Sequence, residues 1–201
     1  MKTQTNIHEK TKRIVLLAFL AALVVVLQLF CQFVLQANNL PISLVLLPIV
    51  VGGILLGPGA GAFLGAVFGI VVFVCCITGL DKTGIILCEI NPFTTALVCI
   101  GKGLFAGLFS ALCYKLISRS SKNISVPSLV ASAVAPIVNT GLFILGLLVF
   151  FKDTLYSWAG DSNILTFIFI GLVGVNFIIE FLINIIITPL IMPAIAKNFG
   201  K

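Results

Sequence analysis

Apolar runs separated by short polar segments dominate the pattern along the chain. The runs cover residues 13–37, 41–56, 60–78, 92–117, 127–151 and 163–196. A helix needs ~20 apolar residues to cross the hydrocarbon core of a bilayer, so the pattern predicts six transmembrane helices in a single membrane domain, 1–201. The last run is longer than one crossing needs, which predicts a helix that is tilted, kinked before Pro189, or extended past the bilayer.

Glycine and proline mark the predicted boundaries between the runs. The segment Gly57-Pro58-Gly59-Ala60-Gly61 predicts a tight turn between the second and third helices, because these residue types supply turn geometry. Pro92 suits the first turn of the fourth helix. A polar segment, 79–91, precedes it.

Composition supports a membrane protein. Hydrophobic residues make up 60% of the chain and charged residues 9%, against ~25% charged residues in soluble domains. A water-soluble fold is therefore excluded. The first run is too long for the ~7–15-residue core of a secretory signal, so we expect it to remain as a helix.

The basic residues predict the orientation. The formal net charge is +6, and most basic side chains fall on one side if the N-terminus is cytoplasmic. Cytoplasmic loops of membrane proteins carry an excess of Lys and Arg. The sequence therefore predicts an all-α integral membrane protein, a bundle of six transmembrane helices with cytoplasmic N- and C-termini. The basic residues placed inside are Lys2, Lys10, Lys12, Arg13, Lys115, Arg119, Lys122, Lys197 and Lys201.

Two short patterns in the first helix indicate contact surfaces. Ala18 and Ala22 are four residues apart and share a helix face, which makes a flat patch where another helix can approach closely. Gln28, Gln32 and Gln36 form a polar stripe that must face protein or water, since lipid penalises it. The alanine patch packs within this chain or against a partner, and the stripe serves interhelical hydrogen bonds or a ligand.

Polar groups also lie deep in the later helices. Lys102 is about 15 Å into the fourth helix at ~1.5 Å rise per residue, and Asn139 lies at a comparable depth in the fifth. Asn176, Glu180 and Asn184 share one face of the last helix. Ionised groups at this depth require partners, so we expect an ion pair between Lys102 and Glu180, either as structural support or as part of a binding site.

Catalytic and metal-binding patterns are absent from the sequence. There is no HExxH, GxSxG or P-loop motif, the single histidine is His8, and the six cysteines form no CxxC pair. Buried apolar packing is the better interpretation of the cysteines. The sequence predicts no catalytic residue, no metal site and no cofactor, and it indicates that the protein is not an enzyme.

Several segments together resemble a known family. They are LVLLPIVVGGILLGPGAGAFLGAVFG across the second and third helices, INPFTTALVCIGKGLFAGL in the fourth and APIVNTGLFILG in the fifth. With the alanine patch and the basic N-terminus, they are similar to the substrate-binding S components of energy-coupling factor (ECF) vitamin transporters. The pantothenate-type branch resembles the chain most.

The resemblance implies a six-helix subunit of the prokaryotic cell membrane that captures a micronutrient near its outer face. It also implies partners: a transmembrane scaffold and two ATPase subunits that hydrolyse ATP, with the scaffold contacting Ala18 and Ala22. Membrane lipid surrounds such a subunit, and nucleic acid is not expected as a partner.

The best ligand hypothesis on this resemblance is pantothenate. Its carboxylate, hydroxyls and amide suit Asn91, Thr94, Lys102, Asn139 and Asn176, while Phe143 or Trp158 would cover its gem-dimethyl carbon. Pyridoxine, for which Glu180 is a candidate partner, or riboflavin is the alternative vitamin. A self-contained channel or facilitator, or a membrane enzyme of unrecognised type, is the alternative from another class.

Overall fold

A computed structural model of the protein describes residues 2–35, 44–121, 123–160 and 162–199, and its regular elements in these ranges are all helical. The first helix continues into the π-helical turn Cys31–Leu35, and another π-helical turn, Phe167–Leu172, precedes the last helix. The α-helices are α1 Lys2–Phe30, α2 Leu46–Leu56, α3 Pro58–Ile77, α4 Lys82–Ile90, α5 Pro92–Ile117, α6 Ser125–Phe150, α7 Lys152–Ala159, α8 Ile164–Thr166 and α9 Gly174–Phe199.

Five of the described helices are long and apolar enough to cross a membrane, namely α1, α3, α5, α6 and α9. The helix α2 has 11 residues, about 16 Å at ~1.5 Å per residue, which is short of the ~30 Å hydrocarbon core. The all-helical membrane class is therefore confirmed. The count of six crossings and the cytoplasmic position of both termini stay predictions, and the start of the predicted second span, 41–43, lies outside the described residues.

Close packing of α3 against α5 depends on glycine residues in both helices. A Cβ at Gly65 would meet the backbone carbonyl of Gly103, and a Cβ at Gly61 or Gly107 would meet the backbone of the other. The two helices approach so closely because these positions lack side chains. The glycine-rich α3 therefore packs tightly within the bundle.

The turn between α2 and α3 also depends on glycine. Gly57 has φ 102°, a left-handed conformation that residues with a Cβ rarely adopt. Pro58 follows at the first position of α3, where its missing N–H is not required. This turn brings α2 back against α3, and the apolar core between them and α1 includes Leu20, Ile49 and Leu64, all buried.

Short helices cap one end of the bundle. The polar segment 79–91 contains α4, whose first turn is capped by the Asp81 carboxylate, which accepts hydrogen bonds from the backbone N–H groups of Thr83 and Gly84. The helix α7 follows α6 at the same end, and Leu87 of α4 packs with Leu155 of α7 in one apolar cluster. We call this end of the molecule the α4/α7 end.

The last apolar run is interrupted before α9. The π-helical turn Phe167–Leu172 is followed by Val173, which has a bent backbone, and α9 then continues through Pro189 and Pro193. A kink before Pro189 was one of the predicted alternatives, whereas the described irregularity lies more than ten residues earlier. A π-helical turn inserts an extra residue into the helical repeat and so rotates the faces on either side of it relative to each other.

Candidate ligand-binding site

The start of α5 supplies the first two predicted site residues. Asn91 is exposed, and its Oδ1 accepts a hydrogen bond from the backbone N–H of Thr94 at 3.1 Å, which caps the helix. The Thr94 side chain is half-buried, and the neighbouring Thr95 hydroxyl donates to the Asn91 carbonyl at 2.9 Å. Asn91 therefore has a structural role, and its Nδ2 group is the part of the side chain left for a ligand.

Lys102 and Phe143 come together between α5 and α6. The Lys102 ammonium lies 4.6 Å from the centroid of the Phe143 ring, within the ~6 Å range of a cation–π interaction. Asn139 is one helical turn before Phe143 and so shares its face of α6. The fold thus brings three of the predicted site residues to one place.

Lys102 and Asn139 also lie at similar depths along their helices. Lys102 is about 15 Å from the start of α5, and Asn139 is about 17 Å from the end of α6, both measured from the α4/α7 end at ~1.5 Å per residue. Polar side chains of α5 and α6 therefore lie at nearly the same level.

The predicted ion pair between Lys102 and Glu180 is not present among the described residues. The helix α6 packs against both α5 and α9. Glu180 is 4% exposed. Lys102 instead faces the ring of Phe143.

One face of α9 carries a polar ladder that continues further than predicted. Asn176 is half-buried, Glu180 is buried, and Asn184 and Thr188 are fully buried at 0% exposure. The Asn184 Nδ2 group donates to the Glu180 carbonyl at 2.9 Å, which fixes the direction of its Oδ1. Thr188 was not among the predicted residues, although it follows Asn184 at the same four-residue spacing.

Four buried oxygen atoms in the described structure have no hydrogen-bond partner: Asn139 Oδ1, Asn176 Oδ1, Asn184 Oδ1 and Thr188 Oγ1. An unsatisfied buried polar atom costs about 1–3 kcal/mol, so a set of them on two facing helices indicates a place for a partner. The three Asn Oδ1 atoms are acceptors only. A ligand that fits this face must therefore present hydroxyl or N–H donors.

Aromatic side chains border the site toward the α4/α7 end. Trp158 of α7 and Phe143 of α6 are half-buried and both pack against the cluster of Leu147, Phe151 and Ile168. The two predicted aromatic residues therefore belong to one apolar wall. This wall lies between the polar residues of the site and the end of the bundle.

The glutamine stripe faces protein, as predicted. Gln28 and Gln32 are buried, and Gln32 Nε2 donates to the Leu80 carbonyl at 2.9 Å. This bond ties α1 to the turn between α3 and α4, which favours the interpretation as interhelical hydrogen bonding. Gln36 lies outside the described residues.

The alanine patch lies on an exposed face of α1. Ala18 and Ala22 are both exposed on α1, so their side chains are not covered by the described parts of the chain. An exposed flat patch of this kind is available to another helix. Its use as a partner interface stays a prediction.

Comparison with known proteins identifies a matching family and a similar protein. A family model described as "ECF transporter, substrate-specific component" matches residues 12–192. The chain is 29% identical over 198 residues to the pantothenic acid transporter PanT of Lactococcus lactis subsp. cremoris (strain MG1363), an alignment that covers 94% of this chain and 95% of that protein. No solved structure shows a significant match.

Proposed function

The chain belongs to the family of substrate-specific components of ECF transporters, and from this premise we propose that it captures pantothenate at the outer face of the membrane. It is a multi-pass protein of the cell membrane, and its family is one of transporters rather than enzymes. In the proposed role it binds the vitamin, while a separate module supplies the energy for transport.

The observation that carries the proposal is the chemistry of the candidate site. The Lys102 ammonium lies over the Phe143 ring, and the buried Oδ1 atoms of Asn139 on α6 and of Asn176 on the adjoining α9 have no hydrogen-bond partner. Pantothenate presents a carboxylate at one end and two hydroxyls at the other, with an amide between them. Its carboxylate would pair with Lys102, and its O–H and N–H groups would donate to the Asn oxygens.

The apolar part of pantothenate would also contact matching residues in the candidate site. The gem-dimethyl carbon of pantothenate needs a nonpolar surface, which Phe143 and Trp158 supply as part of the apolar wall. The relative named as a pantothenic acid transporter aligns along nearly the full length of both chains. Thus the name of the relative and the groups in the site support the same ligand.

The partners in the proposal are a transmembrane scaffold and two ATPase subunits. On the predicted orientation, the candidate site lies toward the outer α4/α7 end, while Ala18 and Ala22 lie in the half of the predicted first span, 13–37, that is nearer the cytoplasm. The exposure of these two alanines suits contact with scaffold helices. Binding and coupling would then use different surfaces of the same subunit.

Calorimetry on the purified full-length chain tests the ligand. We expect tight binding of pantothenate, weaker binding of pantothenol, in which an alcohol replaces the carboxylate, and weak or no binding of pyridoxine. Pantothenate binding that is no tighter than pyridoxine binding would refute the ligand assignment. Mass spectrometry of small molecules that co-purify with the chain would then identify the vitamin.

Reconstitution tests the transport role. Liposomes that contain this chain alone should bind pantothenate without accumulating it, because the proposal places ATP hydrolysis in partner subunits. Liposomes that also contain the scaffold and ATPases should accumulate it only with ATP inside. Uptake by the chain alone would favour the self-contained facilitator instead.

A further inference from the structure

An apolar groove runs along the outside of the bundle between α1, α2 and α9. It has a volume of about 710 Å³ and is lined by Leu16, Leu20 and Leu23 of α1, with Pro48 and Val51 of α2 and Ile191 of α9 among its other walls. It is distinct from the candidate ligand-binding site, since none of the predicted site residues lines it. We call it the α1/α2/α9 groove.

The two polar residues of the lining lie together at one end. Thr11 and Lys12 are in the first turns of the membrane-spanning part of α1, whereas the rest of the lining is apolar. Further cations flank this end. Lys10 and Arg13 are exposed neighbours of Lys12, and Lys197 is exposed two residues after Ile195, which lines the groove from α9.

The length of the groove matches one leaflet of a bilayer. Its lining on α1 extends from Thr11 to Leu23, which is about 18 Å at ~1.5 Å per residue. One leaflet contributes about half of the ~30 Å hydrocarbon core. A single acyl chain whose headgroup lies beside Lys12 would therefore reach the far end of the groove.

We propose that the α1/α2/α9 groove holds one acyl chain of an anionic phospholipid, with the lipid phosphate at Thr11 and Lys12. The apolar walls recognise the chain, and the basic end selects a negative headgroup over a zwitterionic one. A surface made only of apolar residues would accept any lipid equally. The cluster of cations at one end is what makes this groove selective.

The bound lipid would lie beside the alanine patch. Ala22 directly precedes Leu23, a groove-lining residue, and Ala18 directly precedes Phe19, which also lines the groove. A helix that docks on Ala18 and Ala22 would therefore meet the lipid. The lipid proposal itself does not depend on which vitamin the chain binds or on the identity of the docking partner.

Native mass spectrometry of the full-length chain from micelles with equal phosphatidylglycerol and phosphatidylcholine tests the proposal. We expect one phosphatidylglycerol to be retained selectively. Each cation near a membrane surface contributes roughly 5-fold to anionic-lipid binding. K12Q should therefore lower selective retention roughly 5-fold, and K12Q/R13Q roughly 30-fold.

Matched variants separate this site from general effects of charge and bulk. K115Q/R119Q removes two exposed cations from the end of α5 and the loop after it, and it should leave retention unchanged. L23W fills the groove and should abolish retention, whereas V26W, at an exposed position outside the lining, should not. Circular dichroism and thermal melting confirm that each variant is folded.

Three results would overturn the proposal. Equal retention of the two lipids by the unaltered chain would show that the basic end selects nothing. Equal losses in K12Q/R13Q and K115Q/R119Q would show a general charge effect. A dimer that L23W abolishes would show that the groove holds a second copy of the chain. None of these results bears on calorimetric pantothenate binding, so the two proposals can fail separately.

Discussion

Replacement of Lys102 by methionine is the most direct test of the candidate site. Methionine keeps much of the apolar stem and removes the charge. Lys102 is half-buried about 15 Å from the start of α5, where water compensates a carboxylate for a lost ammonium less well than at the surface. Truncation of one partner of a buried charge pair costs about 2–5 kcal/mol, so we expect pantothenate affinity to fall about 30-fold or more.

Lys102→Met also removes the cation–π contact with Phe143, which is a second cause of lost pantothenate affinity. At 4.6 Å from the Phe143 ring, the ammonium gains about 0.5–2 kcal/mol. Phe143→Leu removes this contact and keeps the charge, so its effect on affinity should be the smaller of the two. Lys152→Met is the matched control, because the Lys152 ammonium also lies over a ring, that of Tyr156 at 5.8 Å, but both residues are exposed.

Isothermal titration calorimetry with two ligands separates the charge from general damage. The unaltered protein should prefer pantothenate to pantothenol, and Lys102→Met should bind the two about equally, because the preference depends on the pair between ammonium and carboxylate. The reasoning would be refuted if Lys102→Met kept the preference, or if Lys152→Met removed it. Thermal melting without ligand establishes that each variant is folded.

Three further predictions follow from other parts of the structure. Asn139→Leu should weaken pantothenate binding about 5- to 150-fold, since an acceptor worth about 1–3 kcal/mol is lost. The melting temperature of the empty protein should stay equal or rise. Calorimetry and thermal melting measure the two effects, and unchanged affinity would contradict the prediction. Gly65→Ala should destabilise the protein by about 1–3 kcal/mol, because its Cβ meets the α5 backbone. Gly141→Ala is the control, because a Cβ at this position has no atom within 4 Å; it should be neutral or stabilising by about 1 kcal/mol. Denaturant titrations measure both variants, and equal changes in their free energy of unfolding would argue against close packing of α3 on α5. Ala22→Trp should abolish uptake by the assembled transporter and leave pantothenate binding intact, and a loss of binding in the isolated chain would show that Ala22 packs internally.

The candidate site was only partly predictable from the sequence. Depth in an apolar run singled out Lys102 and Asn139, since few polar groups occur there, and helical spacing placed Asn176, Glu180 and Asn184 on one face. The partner of Lys102 was predicted wrongly, because periodicity within a helix carries no information on which helices are neighbours. Phe143 entered the sequence analysis as an apolar cover for the ligand, whereas in the structure it faces the ammonium.

The membrane class, the positions of the long helices and the need to turn polar groups inward were determined by the sequence alone. In hydrocarbon every backbone group must be satisfied within the chain, so apolar runs form helices whatever their neighbours are. The tertiary structure alone decided that Lys102 lies over the Phe143 ring, that Ala18 and Ala22 stay exposed, and that an apolar groove ends at Lys12. These features depend on how helices pack side by side, and that arrangement is set by the joint fit of surfaces that are distant in the sequence.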